Sequence, residues 1–426
     1  METPASSFAL LSPHEGSTQQ QQSNSMRRSG AADDQNPLLK VSSRSFYDEY
    51  NGHKVEHLEP LLEAFRRAQQ EQRKDDGEND ACEQSGIIWT AGDSSLDNKY
   101  WFNSFRTAVQ GPYRDVLQPP KSNADVTYWL NRLLYERRQQ DEGSTQATPS
   151  ISSQLQIGHR FLGAMNTAVE ATTLNERTFR LRPQDEFLRD NIQPDDVLIV
   201  SIGGNDVALA PLPCTIASIL GLICCLPTCC MEHGGPCCPK LPASIPIDDR
   251  CYGCGPSLCS CCCAMPPCFG YLHHLFHVRV EHYIKQLTSK TKPKQVLVCM
   301  IYYPDENVHS PSWASAALSA LGYNSNPQKL QVLIQKAFQD ATSTIQVPGT
   351  VVTPVPLFMV LDGKTPGDYV ARVEPSPQGG RKMAEYLLQH IATQLKYDSQ
   401  QQGIAHAASP LSGGAGAPSK SYMTDR

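Results

Sequence analysis

Apolar runs alternate with helical patterns along the middle of the chain. Most of these runs lack the polar alternation of a half-exposed strand, so they predict strands that are covered on both faces. Strands that alternate with helices are typical of a parallel sheet between two layers of helices. The pattern therefore predicts the α/β class, as a three-layer α/β/α sandwich with a mainly parallel five-stranded sheet. The predicted strands lie at 86–91, 161–171, 196–202, 295–303 and 351–361, and the clearest helices at 125–140, 185–192 and 379–396.

Segments on both sides of this alternation are predicted to lie outside the main domain. Residues 1–44 are rich in Ser and Gln and contain little apolar sequence, so they are predicted to be a disordered tail. Residues 45–85 are predicted to form a helical and charged lead-in, with the core beginning near Gly86. The domain is predicted to span 86–396, and the low-complexity residues 397–426 to form a second disordered tail.

Composition argues against several classes of function. The chain has 426 residues and a net charge of −6 without a dominant basic block, so no binding of nucleic acid is expected. Its first residues, METPASSFALLSPHEG, lack the features of a secretory signal, which predicts a cytoplasmic location. No apolar run reaches the roughly 18 residues that cross a bilayer, so no transmembrane helix is expected.

Small and polar residues follow the predicted strands, at the edge where a parallel sheet binds its ligands. The chain reads GDSSLDN after the first strand, NTAVEATTL after the second and GGNDVAL after the third. Before the last helix it reads GDYVARVEPSPQGGRKMAEYL. From the residues alone, Ser94 has two interpretations: it caps a following helix, or it is a nucleophile held near the positive end of that helix.

In order and spacing, these blocks resemble the SGNH, or GDSL-type, hydrolase superfamily over residues 86–396. That superfamily has GDS after the first strand, a glycine after the second, GxND after the third, and DxxHP before the last helix. The most specific matches are Gly92-Asp93-Ser94 and Gly203-Gly204-Asn205-Asp206. The resemblance implies a flavodoxin-like fold and a hydrolase that cleaves a small lipid, acyl or acetyl ester through an acyl-enzyme.

The resemblance also implies roles for the matched residues. Ser94 would attack the ester carbonyl, while its own N–H and the side-chain amide of Asn205 would donate to the oxyanion. Taken alone, GGND is better explained as a glycine turn with an Asn or Asp cap, and its pairing with the serine block favours the functional interpretation. The other residues of the two blocks are expected in the oxyanion or binding site: Asp93, Gly203, Gly204 and Asp206.

The second block departs from the family pattern at the glycine whose N–H completes the oxyanion hole. Glu170 or Ala171 stands at this position, and either residue supplies a backbone N–H. A glutamate side chain beside a developing anion is unfavourable unless it points away or is neutralised. The local geometry therefore decides whether this donor remains.

The last block departs more strongly, because Glu374 stands at the histidine position and Ala371 at the aspartate position. In one hypothesis Glu374 itself takes the serine proton, although an unperturbed Glu has a pKa of about 4.3 and a nearby Arg372 would lower it further. In a second, His309 reaches the site from the loop after the fourth strand; its alternative role is that of a solvated loop residue. In a third, the fold remains without hydrolysis, as a binding protein that associates with membranes.

A cysteine-rich insertion, residues 211–270, separates the third and fourth strands and contains fourteen of the sixteen cysteines. Its apolar segment 214–230 is predicted to form a lid or to dock on a membrane surface. Adjacent cysteines of the insertion predict S-acylation, which would attach a cytoplasmic protein peripherally; they are Cys224-Cys225, Cys229-Cys230 and Cys261-Cys262-Cys263. Disulfides or no specific role stay open, and the oligomeric state is not predicted. One CxxC with irregular successors is a weak zinc pattern, so no cofactor is expected; the candidate ligands are Cys251, Cys254, Cys259 and Cys261.

Overall fold

Five parallel strands form the central sheet in the computed structural model of the protein. The strands are β1 (Gly86–Gly92), β2 (Phe161–Asn166), β3 (Val197–Ser201), β4 (Gln295–Met300) and β5 (Val351–Pro356). Their order in the sheet is β2-β1-β3-β4-β5, and each neighbouring pair is parallel. The predicted α/β class with a mainly parallel five-stranded sheet is therefore confirmed.

Helices cover the two faces of this sheet and border its carboxyl edge. The main ones are α1 (Val55–Asp75), α2 (Val126–Gly143), α3 (Pro183–Asn191), α4 (Gly204–Ala208), α5 (Val280–Leu287), α6 (Pro327–Asp340) and α7 (Pro377–Ala408). Shorter helical segments are Ser43–Tyr47, Lys99–Trp101, Pro112–Val116, Ile157–Arg160, Leu174–Arg177, His274–Arg279, Ser315–Ala320, Thr342–Thr344, Leu357–Met359 and Pro366–Asp368. Short strands pair as Val41–Ser42 with Leu117–Gln118, Phe105–Thr107 with Lys121–Asn123, and Tyr369–Val370 with Glu374–Pro375.

The alternation of side chains along β1 produces two separate cores. Ile87 and Trp89 belong to the core that includes side chains of α1, α3, α5 and α6, whereas Ile88 belongs to the core with α2 and α7. Successive side chains of a strand point to opposite faces, so both faces of the sheet are buried. This explains why the strand sequences lack polar alternation.

The core also begins earlier in the chain than the sequence predicts. Phe46, Leu58, Leu61 and Phe65 are almost fully buried in the first core, although the predicted core begins near Gly86. The apolar face of α1 covers the sheet, and the charged residues that follow it conceal this role in the sequence. Val41–Ser42 also joins the domain before the predicted boundary at residue 45.

Two further element boundaries differ from the prediction. Strand β2 ends at Asn166 instead of residue 171. The N–H groups of Thr167 and Val169 still donate to the Thr90 and Gly92 carbonyls, and the chain then turns at residues 170 and 171, where Ala171 has a φ of 55°. Helix α7 continues to Ala408, beyond the predicted end at residue 396. Neither difference changes the order of the strands.

The structure describes the domain but little of the insertion or the two ends of the chain. The zinc candidates Cys251, Cys254, Cys259 and Cys261 lie outside the described residues, as do the adjacent cysteines of 214–230 and most of both predicted tails. No helix among the described residues is long and apolar enough to cross a membrane. The described residues are 37–48, 50–75, 85–102, 105–143, 157–211, 215, 216, 219, 223 and 272–408.

Candidate functional site

Ser94 lies in a tight turn directly after β1, at the carboxyl edge of the sheet. Gly92 has a φ of 130°, and a Cβ at this position would lie 1.8 Å from the Ser201 carbonyl oxygen, so only glycine fits. The Asp93 N–H donates to the same oxygen at 3.0 Å. The glycine of the GDS block therefore allows β1 to end in close contact with β3.

No helix begins at Ser94, so the predicted strand-to-helix turn is wrong. Residues 94–96 form a turn, and the next helical segment is Lys99–Trp101. The reason is local: the Asp93 carboxylate accepts the N–H of Ser95 at 3.0 Å and its hydroxyl at 2.8 Å, which closes the turn. Burial raises the pKa of Asp93 to about 6. Asp93 thus shapes the turn, and Ser94 is not a helix cap.

Glu374 lies beside Ser94, 280 residues later in the chain. The Ser94 hydroxyl donates to Glu374 Oε1 at 3.4 Å, and Oε2 has no hydrogen-bond partner among the described residues. Burial raises the pKa of Glu374 to about 8, the negative charge of Asp93 adds to this rise, and Ser94 and Trp313 oppose it. A carboxyl group with this pKa changes its charge near neutral pH, where a general base operates.

A short hairpin holds Glu374 in this position. Tyr369–Val370 pairs with Glu374–Pro375, and the Asn98 side chain donates to the Pro375 carbonyl at 2.7 Å. The turn between the two strands contains Ala371 and Arg372, which have φ values of 49° and 64°. Both angles lie in the left-handed region, which is uncommon for residues other than glycine.

The same turn directs Arg372 to partners other than Glu374. Its guanidinium donates to the Asp305 carbonyl at 3.1 Å and to Asn324 Oδ1 at 3.0 Å. Arg372 is not among the groups that shift the pKa of Glu374. The carboxyl pKa is therefore set by burial and Asp93, and not by this nearby cation.

Asn205 and Asp206 begin helix α4, which follows β3. The Asn205 side-chain amide donates to the Thr172 carbonyl at 3.0 Å, and Asn205 lines the same cavity as Ser94. Asp206 is fully buried and accepts the N–H groups of Leu174 at 2.8 Å and Asn175 at 3.2 Å. Asp206 thus anchors the segment that follows β2. Gly203, with a φ of 112°, makes the turn before α4, and Gly204 lines the cavity.

Glu170 and Ala171 are the two residues predicted at the position of the family glycine. They differ in backbone conformation and in their contacts. Ala171 has a φ of 55°, the left-handed conformation that glycine adopts most easily, so Ala171 matches the glycine better. Glu170 is buried and accepts the Lys99 ammonium at 2.8 Å and the Gly52 N–H at 2.8 Å. Burial and the nearby Asp97 also raise the pKa of Glu170. The raised pKa favours the uncharged form of Glu170, and where Glu170 is ionised the Lys99 ammonium, which opposes the rise, compensates its charge.

A buried arginine joins the first and second blocks, and the sequence does not indicate it. Arg177 donates to the Gly92 carbonyl at 3.0 Å and to the Thr172 hydroxyl at 2.6 Å, and it pairs with Asp185 at 2.8 Å. One guanidinium therefore connects the end of β1 with the residue that contacts Asn205. Arg177 lies in a polar stretch without a recognisable motif, so no feature of the sequence marks this role.

The structure does not bring His309 to Ser94. His309 is exposed on its loop, where its N–H donates to Asn307 Oδ1 at 3.1 Å. It is not among the residues that line the cavity beside Ser94. Glu374 is thus the sequence-predicted base that lies within hydrogen-bond reach of Ser94.

One group of described residues has the composition of a metal site, but it is separate from Ser94. Potential ligand atoms of His53, Asp97 and Asp125 lie within 4.8 Å of one another, and all three residues are buried. The Lys99 ammonium already pairs with Asp97 at 2.6 Å. A fixed cation at this distance opposes the binding of a metal ion, so this group supports no metal site.

No protein-family model and no curated protein matches the chain. Two solved structures are similar to it. A carbohydrate esterase family 3 from Talaromyces cellulolyticus has a TM-score of 0.30 and 10% identity, over 74% of this chain and 99% of that chain. An extracellular lipase from Streptomyces rimosus has a TM-score of 0.32 and 11% identity, over 72% of this chain and 99% of that chain. At this level of similarity neither structure assigns a function to this chain. A function can be inferred only from the residues of the chain itself.

Proposed function

We propose that the protein is a serine ester hydrolase in which Ser94 is the nucleophile and Glu374 is the general base. The observation that carries this proposal is the hydrogen bond from the Ser94 hydroxyl to Glu374 Oε1, at 3.4 Å, in the wall of a cavity. Pairs of nucleophile and base are often this loose without a bound substrate. A carboxylate needs no further residue to fix a tautomer, which fits the loss of both His and Asp from the last block.

In the proposed reaction, ionised Glu374 takes the proton of the Ser94 hydroxyl while the Ser94 oxygen attacks the carbonyl carbon of the ester. The Asn205 amide and the N–H groups of Ser94 and Ala171 stabilise the oxyanion. Protonated Glu374 then gives the proton to the leaving alcohol, and an acyl-Ser94 ester remains. A water molecule then attacks the carbonyl carbon of this ester while Glu374 takes a proton from it. Glu374 returns that proton to Ser94 Oγ as the bond between Oγ and the acyl carbon breaks, and the acid is released. The same carboxyl group thus serves as base and acid in turn.

The alternative proposal is a binding protein without catalysis. It would be favoured if a basic side chain formed an ion pair with the Glu374 carboxylate. Arg372 is the closest such residue in sequence, and its guanidinium bonds to Asp305 and Asn324 instead. A carboxylate within reach of an otherwise accessible serine favours the enzyme. Membrane attachment through the cysteine-rich insertion is compatible with either function and is proposed independently of both.

Hydrolysis of p-nitrophenyl acetate by the purified full chain tests the proposal. We expect turnover by the wild-type protein and by Ser343→Ala, which removes an exposed serine elsewhere, and loss of turnover in Ser94→Ala. Circular dichroism would verify that Ser94→Ala is folded. Equal turnover by Ser94→Ala and the wild type would exclude Ser94 as the nucleophile.

A further inference from the structure

The cavity beside Ser94 is mostly apolar. Its volume is about 100 Å³, several times the roughly 10–15 Å³ that one water molecule needs. Residues of α4, the end of β4, the segment 313–321 and α6 form its wall. The apolar side chains that line it include Val207, Ala208, Ile301, Leu318, Leu330 and Ile334.

The polar groups of this wall are few, and most are already occupied. The Tyr302 hydroxyl donates to the Val373 carbonyl at 2.7 Å. The Ser95 hydroxyl donates to Asp93, and Asp93 is closed into the turn. The remaining polar side chains of the wall are those of Ser94, Asn205, Glu374 and Trp313. The Ser94 hydroxyl is bonded to Glu374, and one N–H of the Asn205 amide to the Thr172 carbonyl, which leaves the second N–H of this amide for an oxyanion.

From this distribution we propose that the cavity binds an alkyl chain attached to the ester. The proposal rests on the proposed function and specifies its substrate class. An alkyl chain satisfies the apolar wall without any polar partner, and each buried methylene favours binding. A sugar or a charged group would lose its hydrogen bonds to water and find few replacements among these side chains.

Binding without turnover tests this assignment. The Ser94→Ala protein would be titrated with octanol, butanol and glucose in a calorimeter, because none of these ligands requires catalysis. One buried methylene changes affinity about fourfold, so octanol should bind about 10²-fold more tightly than butanol, with a negative heat-capacity change. Glucose should not bind. Equal affinities for the two alcohols, or binding of glucose alone, would overturn the assignment.

A pair of substitutions on neighbouring residues locates the chain-binding site. Ala208 lines the cavity and is half-buried, whereas Ala210 is exposed and outside the cavity wall. In the same background, Ala208→Phe should weaken octanol binding at least tenfold, and Ala210→Phe should leave it unchanged. Circular dichroism would verify both folds. Equal affinities in the two folded variants would place the alkyl chain elsewhere and contradict the proposal.

Turnover by the wild-type protein then shows which side of the ester bears the chain. One series would extend the acyl group of p-nitrophenyl esters from acetate through butanoate and hexanoate to octanoate, and the other would extend the alcohol of alkyl acetates. An increase of about fourfold in kcat/KM per methylene in either series supports the assignment, on the acyl or the alcohol side respectively. Turnover that is equal along both series would contradict it. If octanol binds but no ester is cleaved, the cavity assignment stands and the proposed function fails.

Discussion

Burial changes the chemistry of Glu374 more than any neighbouring charge does. An unperturbed glutamate has a pKa of about 4.3 and is a weak base at neutral pH. In this protein its pKa is raised to about 8, so that about a tenth of the molecules carry the ionised form at pH 7. Glu374 stands where the family has a histidine, and burial brings its pKa close to the pH range in which a histidine titrates.

At the residue scale, Glu374→Gln should reduce kcat/KM for p-nitrophenyl acetate by about 10²-fold or more, because glutamine cannot accept the serine proton. Glu385→Gln is the matched control, since Glu385 is exposed on α7 and pairs with Arg381. Steady-state kinetics with both variants make the comparison. An unchanged rate in Glu374→Gln would show that another group is the base.

The same carboxyl group predicts two dependences on pH. Activity should rise with pH through about 8 as Glu374 ionises, and this rise should disappear in Glu374→Gln. Stability should fall as the pH rises from about 4.5 to about 8, because over this interval the unfolded state has lost the Glu374 proton and the folded state still holds it. Thermal unfolding should show that Glu374→Gln is stabilised relative to the wild type more at pH 9 than at pH 5. Equal differences at the two pH values would contradict the raised pKa.

The sequence predicts Ser94, Asn205 and Glu374 as site residues because each has a fixed place in a motif. It could not predict the pKa of Glu374, because this pKa depends on the burial of the carboxyl group in the folded chain. It also could not predict how Glu170 is neutralised. Its partner Lys99 lies 71 residues earlier and belongs to no motif.

At the scale of elements, Asp206 connects two of the loops that form the site. Its carboxylate accepts the N–H groups of Leu174 and Asn175 at the start of the helical segment Leu174–Arg177. That segment follows Thr172, whose carbonyl receives the Asn205 amide. The GGND motif therefore supplies a candidate oxyanion donor and, one residue later, the group that fixes the donor's neighbouring loop.

Asp206→Ala should lower the free energy of unfolding by about 1–3 kcal/mol, because the buried N–H of Leu174 and the part-buried N–H of Asn175 lose their acceptor. We also expect a lower kcat, since Thr172 and Ala171 lie in the loop that would shift. Asp340→Ala on α6 removes a half-exposed carboxylate paired with Lys336 and should change stability by less than about 0.5 kcal/mol. Urea unfolding of both variants compares the two effects. Equal stabilities would show that Asp206 does not hold the loop.

At the scale of the whole molecule, the fold is largely predictable from the apolar patterns, but its limits are not. The uninterrupted strands predict a sheet that is covered on both faces, and the two cores on either side of β1 agree with this. The contribution of residues 41–65 depends on which surface α1 covers, and a helical period alone does not specify a partner surface. The sequence alone therefore does not show that the core begins before Gly86, whereas the folded structure does.

Leu61→Ala tests whether α1 belongs to the core. Leu61 is fully buried, so its truncation should lower the free energy of unfolding by about 2–5 kcal/mol. Leu39→Ala removes the same atoms from a side chain that is 65% exposed and should have little effect. Urea unfolding measures both values. Small and equal effects of the two substitutions would show that the lead-in does not stabilise the domain.

The most direct test of the central claim is the rate at which a fluorophosphonate probe labels the full-length protein between pH 6 and 10, with Ser94→Ala and Glu374→Gln measured in parallel. The proposed mechanism predicts labelling that requires Ser94, rises with pH through about 8, and is slow at every pH in Glu374→Gln. Absence of labelling in the folded wild-type protein, or labelling that persists in Ser94→Ala, would contradict the claim that Glu374 activates Ser94.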